Sequence, residues 1–331
     1  MNDKKYFVTG ASGFIGMNLL RKLTSLSDSV SALVRSPNDK FMEHVTTITT
    51  DISCPESYAS YLNKCDIVFH CAACISFQKK DLKHAIMVNV NGTRNLLEAA
   101  YQANVKKVVH LSACAVLGFS IDKDRIVDET SDQEINEDNV YAYTKKLAEL
   151  EVQKYVKKGL NVSIANIATV YGQGDWKLNS GSIIKSVYNG KMRFVPPGGT
   201  SFVAVDDLVD GLLLLAQKGR PGERYIFCSE NMEYRELVAR IANVLGAKPP
   251  LYTLPRFSYY PILLLVKSSE LLAGFKKKAI NLMTTQILKE SFAYKYFNSD
   301  KAMKELGWQP GVSLEDSVKN AYAFYKDEKL L

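Results

Sequence analysis

Residues 9–16 read TGASGFIG, directly behind the β-branched run that starts at Tyr6 and directly ahead of an apolar, helix-like segment. Gly10, Gly13 and Gly16 stand three apart. In a strand–loop–helix unit the first glycine permits the tight turn, the second lets a pyrophosphate approach the backbone, and the third lets helix pack closely on strand. The free N–H groups at the head of the helix then face the phosphates. Ser12, Phe14 and Ile15 fill the loop and helix start, so Gly10, Ser12, Gly13, Phe14, Ile15 and Gly16 form the expected core of a dinucleotide site.

Outward from this loop, short runs at YFVTG, VSALV, TTITTDI, DIVFHCA and KVVHLSA alternate with helical patterns such as NGTRNLLEAAYQANV. Strand-length β-branched runs separated by amphipathic segments predict an α/β fold with a Rossmann-type, doubly wound parallel sheet. Residues 1–172 are expected to form the dinucleotide-binding domain, with 199–228 returning to it. Residues 173–198 and 229–331 are expected to form a smaller, mainly helical substrate-binding domain.

The second strand ends at Arg35, where a fold that prefers NAD places an acid for the ribose 2′-OH. A guanidinium grips a 2′-phosphate instead, so NADP is expected over NAD. Asp51 and Ile52 follow the third strand, where the adenine lies. Cys71, Ala72 and Ala73 are small residues at the end of the fourth, where a ligand can pass close to the backbone.

Tyr141 and Lys145 in VYAYTKKLAE are four apart and share one helix face. A phenol is a poor base at neutral pH, and a neighbouring ammonium favours the phenolate. The pair is therefore the expected proton-transfer machinery.

These motifs, with DIVFHCAA, NVNGTRNLLEAA, TVYGQGD and SDKAMKELGWQP, resemble the extended short-chain dehydrogenase/reductases, also called NAD-dependent epimerase/dehydratases. The likeness runs over nearly the whole chain and is strongest to dihydroflavonol reductase-like and hydroxysteroid dehydrogenase-like members. It implies that Lys145 also holds the nicotinamide ribose, that Asn89 lies near the site, and that Thr169 and Val170 border the nicotinamide. Three departures stand out. The family's catalytic Ser or Thr, five positions before Gly118, is Ala113 here. Ser112 is the candidate replacement, although adjacent strand residues point to opposite faces, so the role requires an irregular strand end. The Asp-Glu pair of the dehydratases is Cys114-Ala115, which argues against dehydration. The frequent Arg-Pro before VYG is Asn166-Ile167, and the frequent His of FVHVDD is Ala204. Asp206 and Asp207 are expected to cap the helix that follows.

The leading reading is an NADP-preferring carbonyl reductase or alcohol dehydrogenase acting on a small molecule. The alternatives are a nucleotide-sugar epimerase with tightly held NAD and a dinucleotide-sensing protein without turnover. Neither metal nor nucleic acid is expected. Cys71 and Cys74 form a lone CxxC with no partner pair, and the +7 balance of 42 Lys and Arg against 35 Asp and Glu is spread along the chain. The six cysteines show no secreted framework and MNDKKYFVTG has no signal-peptide core, so a cytoplasmic protein is expected, as a homodimer. FSYYPILLLV, residues 257–266, is too short to span a bilayer, which needs about 20 apolar residues. With the lysines at 276–278 it reads either as an interfacial helix making weak membrane-surface contact through 257–278, or as a helix packed in the second domain.

Overall fold

A computed structural model describes residues 4–27, 29–36, 45–63, 65–275 and 284–331. In chain order the first part runs β1 (Tyr6–Thr9), α1 (Phe14–Thr24), β2 (Val30–Val34), β3 (Val45–Thr49), α2 (Ala59–Leu62), β4 (Ile67–His70), α3 (Leu82–Ala85), α4 (Gly92–Gln102), β5 (Lys107–Ala113), α5 (Val140–Lys157) and β6 (Val162–Ile167). The second continues with β7 (Thr169–Tyr171), α6 (Gly181–Tyr188), β8 (Phe194–Val195), β9 (Gly199–Ala204), α7 (Val205–Lys218), β10 (Arg224–Phe227), β11 (Glu230–Glu233), α8 (Tyr234–Leu245), β12 (Tyr252–Thr253), α9 (Tyr259–Phe275), α10 (Thr285–Ser291) and α11 (Leu314–Asp327).

Seven parallel strands form one sheet in the order β10-β6-β5-β4-β1-β2-β3, which confirms the doubly wound reading. All five runs picked out in the sequence are strands of it. Successive strand residues feed opposite faces, as the pleat requires. Val68 and Val108 join Leu96, Leu97 and Val152 beneath α4 and α5, whereas Phe69 and Val109 join Leu19, Leu23, Leu208 and Leu212 beneath α1 and α7. Because both faces are covered, the strands read as continuous apolar runs. The chain reverses its winding between β1 and β4, and at such a switch point the strand ends splay into a ligand crevice.

After β6 the topology becomes mixed. β10 returns to the main sheet beside β6, whereas β9 pairs with β7 and β11 in a separate three-stranded sheet. β8 and β12 make a two-stranded edge ribbon. Among the described residues no helix is long and apolar enough to cross a membrane.

Asp207 is used differently from the capping role read in the sequence. It lies in the first turn of α7, but no side chain caps that helix. Its carboxylate accepts from the backbone N–H groups of Gly311 and Val312 at 2.9–3.1 Å, and its carbonyl accepts from the Trp308 indole at 2.8 Å. The long-range backbone donors outcompete the local ones because Trp308 is buried against α7 and brings its chain with it.

Candidate active site

The crevice begins at Gly10, whose φ of +64° only a residue without a side chain adopts at little cost. A Cβ there would lie 2.6 Å from the Ala72 nitrogen, and one on Gly16 would lie 2.3 Å from the Gly10 carbonyl oxygen. Gly13 meets nothing closer than 3.1 Å and is exposed, so it faces the ligand side. It is also the N-cap of α1, with no side-chain cap and no acid in the first turn. The head of α1, with exposed Ser12 and half-buried Phe14 and Ile15, thus presents its N–H groups uncapped to an anion. This cradle of backbone fits a pyrophosphate.

The rest of the predicted dinucleotide set lies around this crevice. Arg35 is exposed at the end of β2. Hydrogen bonds from Ser53 hold the Asp51 carboxyl below its usual range, and the Arg35 guanidinium contributes. The Ile52 side chain is buried among core residues of β3, β4 and α4, and its carbonyl accepts from the Tyr58 hydroxyl. Cys71, Ala72 and Ala73 leave β4 alongside Gly10. Thr169 and buried Val170 begin β7, with the Thr169 hydroxyl 3.3 Å from that of Thr200.

A buried chain of hydrogen bonds fixes the β4 loop against α5. The Ala72 N–H donates to Thr9 Oγ1 at 3.2 Å, and that oxygen is 2.8 Å from His70 Nδ1. His70 Nε2 lies 2.8 Å from Thr93 Oγ1, which donates to the Asn89 carbonyl at 2.6 Å. A hydroxyl carries one proton, so Thr93 accepts from Nε2–H, and the neutral imidazole accepts from Thr9 at Nδ1. Protonating Nδ1 would reverse that bond and leave the Thr9 hydroxyl proton without its acceptor. Burial holds the His70 ring down to about 3, with Lys145 adding to the effect. Asn89 sits in a π-helical turn, residues 86–91, and its amide binds the Cys74 backbone at both N–H and C=O. The same amide donates to Thr144 of α5 at 2.9 Å.

Tyr141 occupies the first turn of α5, whose N-cap Asn139 accepts from the Ala142 N–H and donates to Glu290 of α10 at 2.9 Å. Its ring meets Phe77 edge-on at 6.0 Å, and its hydroxyl bonds to no group among the described residues. Lys145, one turn on, is buried and donates to the Leu111 carbonyl. The sequence led us to expect an ammonium drawing the phenol down. Here burial pushes Tyr141 up to about 12, with Cys114 adding to the rise. Burial also lowers Lys145 to about 8, against the pull of Glu149 and Cys71.

Ser112 is engaged with α5 but bonds to neither member of the pair. Ala113 is extended (φ −139°, ψ 149°), and β5 stays in register with β6 through Ser112 and Ala113, so the strand end is regular. The Ser112 hydroxyl donates to Glu149 at 2.5 Å, beneath α5. Glu149 also accepts from Asn166 Nδ2 at 2.8 Å and from Arg224 at 2.7 Å. Asn166 further donates to the Ala113 carbonyl at 3.3 Å, so the residue that replaces the family's arginine ties the end of β5 to Glu149. Sequence reading singled out neither His70 nor Glu149. Glu149 is four residues beyond Lys145, on the same helix face, which was the one available signal.

The profile of the NAD dependent epimerase/dehydratase family matches residues 6–228. The sterol demethylase protein B of Methylococcus capsulatus is 27% identical over 330 residues, covering 98% of this chain and 99% of its own. A 4-hydroxy-2-methyl-3-oxo-4-farnesyl-3,4-dihydroquinoline-1-oxide ketoreductase of Stigmatella aurantiaca is 28% identical over 322 residues, covering 94% of each chain. The crystal structure of gox2253 superposes with a TM-score of 0.84 at 32% identity over 99% of both chains.

Proposed function

Because this chain belongs to the NAD dependent epimerase/dehydratase family, an enzyme family, we propose that it is the carbonyl-reducing kind of oxidoreductase within it, preferring NADP and acting on an apolar small molecule. The observation that carries the reading is geometric: the Tyr141 hydroxyl bonds to no group among the described residues and stands one turn before buried Lys145 on α5, free to exchange a proton with a substrate oxygen. Burial raises the phenol, so it holds its proton in the neutral range and can give it to a developing alkoxide.

The bound dinucleotide supplies the hydride. The chain's own residues do the rest. The head of α1 and Gly13 bind the phosphates, and Arg35 takes the 2′-phosphate. The chain from Ala72 through His70 to Asn89 holds the loop that follows β4, and Lys145, Thr169 and Val170 would hold the nicotinamide half. Tyr141 donates to the developing alkoxide. Cys114 is no alternative proton source, since it is buried and its S–H is given to the Asn166 carbonyl. Ser112 becomes a positioning residue, holding Glu149 at the third turn of α5. The Methylococcus and Stigmatella relatives carry sterol and farnesyl in their names, which supports an apolar substrate. Met87 and Leu150, large apolar residues 45% and 50% exposed near α4 and α5, support a homodimer through that face.

The test is to incubate the enzyme with NADPH or NADH and a panel of apolar ketones, following loss of the reduced dinucleotide. Net consumption that is faster with NADPH is expected. Interconversion of a nucleotide sugar with no net consumption would replace this reading with an epimerase.

A further inference from the structure

The outer side of α9 is apolar where a surface helix is normally polar. Its inward residues Tyr259, Ile262, Leu263 and Val266 pack on Leu288 and Phe292 at α10, which accounts for one apolar stripe. A second stripe, Phe257, Tyr260, Leu264 and Leu265, follows helical spacing and stands 69–75% exposed. The β8–β12 ribbon that leads into the helix adds Phe194 and Tyr252, 57% and 65% exposed, with rings stacked at 6.3 Å. Scattered exposed apolar residues need no explanation, but a contiguous set of this kind marks a contact.

The charge around it is one-sided. No Asp or Glu occurs between Asp175 and Asp206, or between Glu236 and Glu270, and these two stretches contribute both strands of the ribbon and most of α9. They hold eight of the 42 Lys and Arg residues, leaving 34 against the 35 Asp and Glu elsewhere. The whole net positive charge of the chain therefore sits in them. Lys191, Arg193, Lys248, Arg256 and Lys267 flank the apolar stripe, and none has a carboxylate within ion-pair distance among the described residues.

An apolar, tyrosine-bearing ridge bordered by a run of the chain rich in cations and free of acids matches one kind of surface. A second copy would set the same basic rim against itself, because a twofold contact brings each patch onto its twin. Anionic lipid takes both parts: leucines and aromatics enter the headgroup boundary while lysine and arginine meet the phosphates. No described helix can cross a bilayer, so the helix lies in the surface plane. We propose that the outer face of α9, with the β8–β12 edge, docks this protein on an anionic lipid surface. The sequence-stretch 276–278 that prompted the interfacial reading lies outside the described residues, and the proposal stands without it. It depends on this face alone and not on what the catalytic pair turns over. Docking would bring lipid within one helix of the chemistry, since α9 packs on α10 and Glu290 of α10 accepts from the cap that starts the Tyr141 helix.

Flotation of the full chain with vesicles decides it, using phosphatidylcholine alone and phosphatidylcholine with phosphatidylglycerol. The wild type should float with the mixed vesicles and much less with the neutral ones. Lys267→Ala should weaken binding about fivefold, the usual effect of one cation at such a surface. The double variant Leu264→Glu/Leu265→Glu should stay with the soluble fraction while keeping the wild-type melting temperature, because both side chains are exposed. A wild type that ignores mixed vesicles, or a double variant that floats equally well, would overturn the proposal. So would a solution dimer that the double variant splits without any vesicle binding, which would give the face to a second copy.

Discussion

The crevice between β1 and β4 and the outer face of α9 are built in opposite ways. In the crevice, space is the constraint: Gly10 and Gly16 sit where any Cβ would strike backbone, and a directional chain from Ala72 to Asn89 leaves no donor spare. On α9 nothing is constrained, and whole side chains stand in solvent. A site built by close backbone approach dictates its residues, and a site built by protrusion only biases them.

That contrast is sharpest in turnover. Tyr141→Phe should lower the catalytic rate by about 10²–10⁴, the usual worth of a positioned proton donor, while dinucleotide affinity stays near the wild-type value. Steady-state kinetics and a binding titration separate the two. A rate near wild type would place the proton donor elsewhere. Stability gives the next contrast. Gly16→Ala drives a methyl against the Gly10 carbonyl, a backbone atom that cannot swing aside, and should cost more than about 2 kcal/mol together with dinucleotide binding. Leu264→Ser, on the open face, should stay within about 0.5 kcal/mol in a denaturant melt. Equal effects would mean that the loop has slack the distances do not show.

The first region's legibility follows from its constraint. β-branched runs covered on both faces could be only strands, and glycines three apart between strand and helix could be only a turn under close approach. Tyr141 and Lys145 were findable because helix geometry alone puts residues four apart together. What could not be read is direction and partnership. Nothing in KVVHLSA says that the Ser112 hydroxyl meets a glutamate from α5, that the His110 ring lies tilted against that of His70 at 5.2 Å, or that Lys145 donates a hydrogen bond to the Leu111 carbonyl. Nor could GTSFVA reveal that β9 would leave the main sheet for β7 and β11, because an apolar run does not name its neighbour.

Acid should attack the covered region first. His70 and His110 are buried, and burial keeps both well below the ordinary histidine value, His70 at about 3. Above about pH 6.5 each is neutral whether folded or not, and neither affects stability. Below it the unfolded chain takes up protons that the folded chain refuses. Stability should therefore fall by up to about 1.4 kcal/mol per pH unit for each histidine, down to the folded-state value. The His110 ring nitrogens have no partner among the described residues, so His110→Phe should flatten that slope. Melts at stepped pH measure it, and an unchanged slope would assign the acid loss to carboxylates. Dinucleotide choice should respond less: Arg35→Asp should erode an NADPH preference by about tenfold to a hundredfold, as losing a charge-assisted phosphate contact does. An unmoved ratio of kcat/KM values would make Arg35 a bystander.

The smallest effect on rate should come from the residue that stands next to the family's catalytic hydroxyl. A lost donor to a developing oxyanion costs about 10²–10³ in rate, and a serine serving Tyr141 would show that loss. Ser112 has another partner. Its hydroxyl is 2.5 Å from Glu149, on the side of the sheet that α5 covers, and β5 runs regularly past it into Ala113. Ser112→Ala should therefore leave the rate within severalfold of wild type. It should cost stability instead, about 1–3 kcal/mol, because a buried carboxylate that also answers Asn166 and Arg224 loses one of its donors. Ala113→Ser is the complementary test, since position 113 is where the family's catalytic hydroxyl stands and it occupies the opposite face of the strand from Ser112. If that variant gains rate while Ser112→Ala loses only stability, Tyr141 works without a second donor in the natural enzyme. A sharp rate loss in Ser112→Ala at unchanged stability would mean that the serine turns toward the substrate during turnover, against the hydrogen bond it makes here.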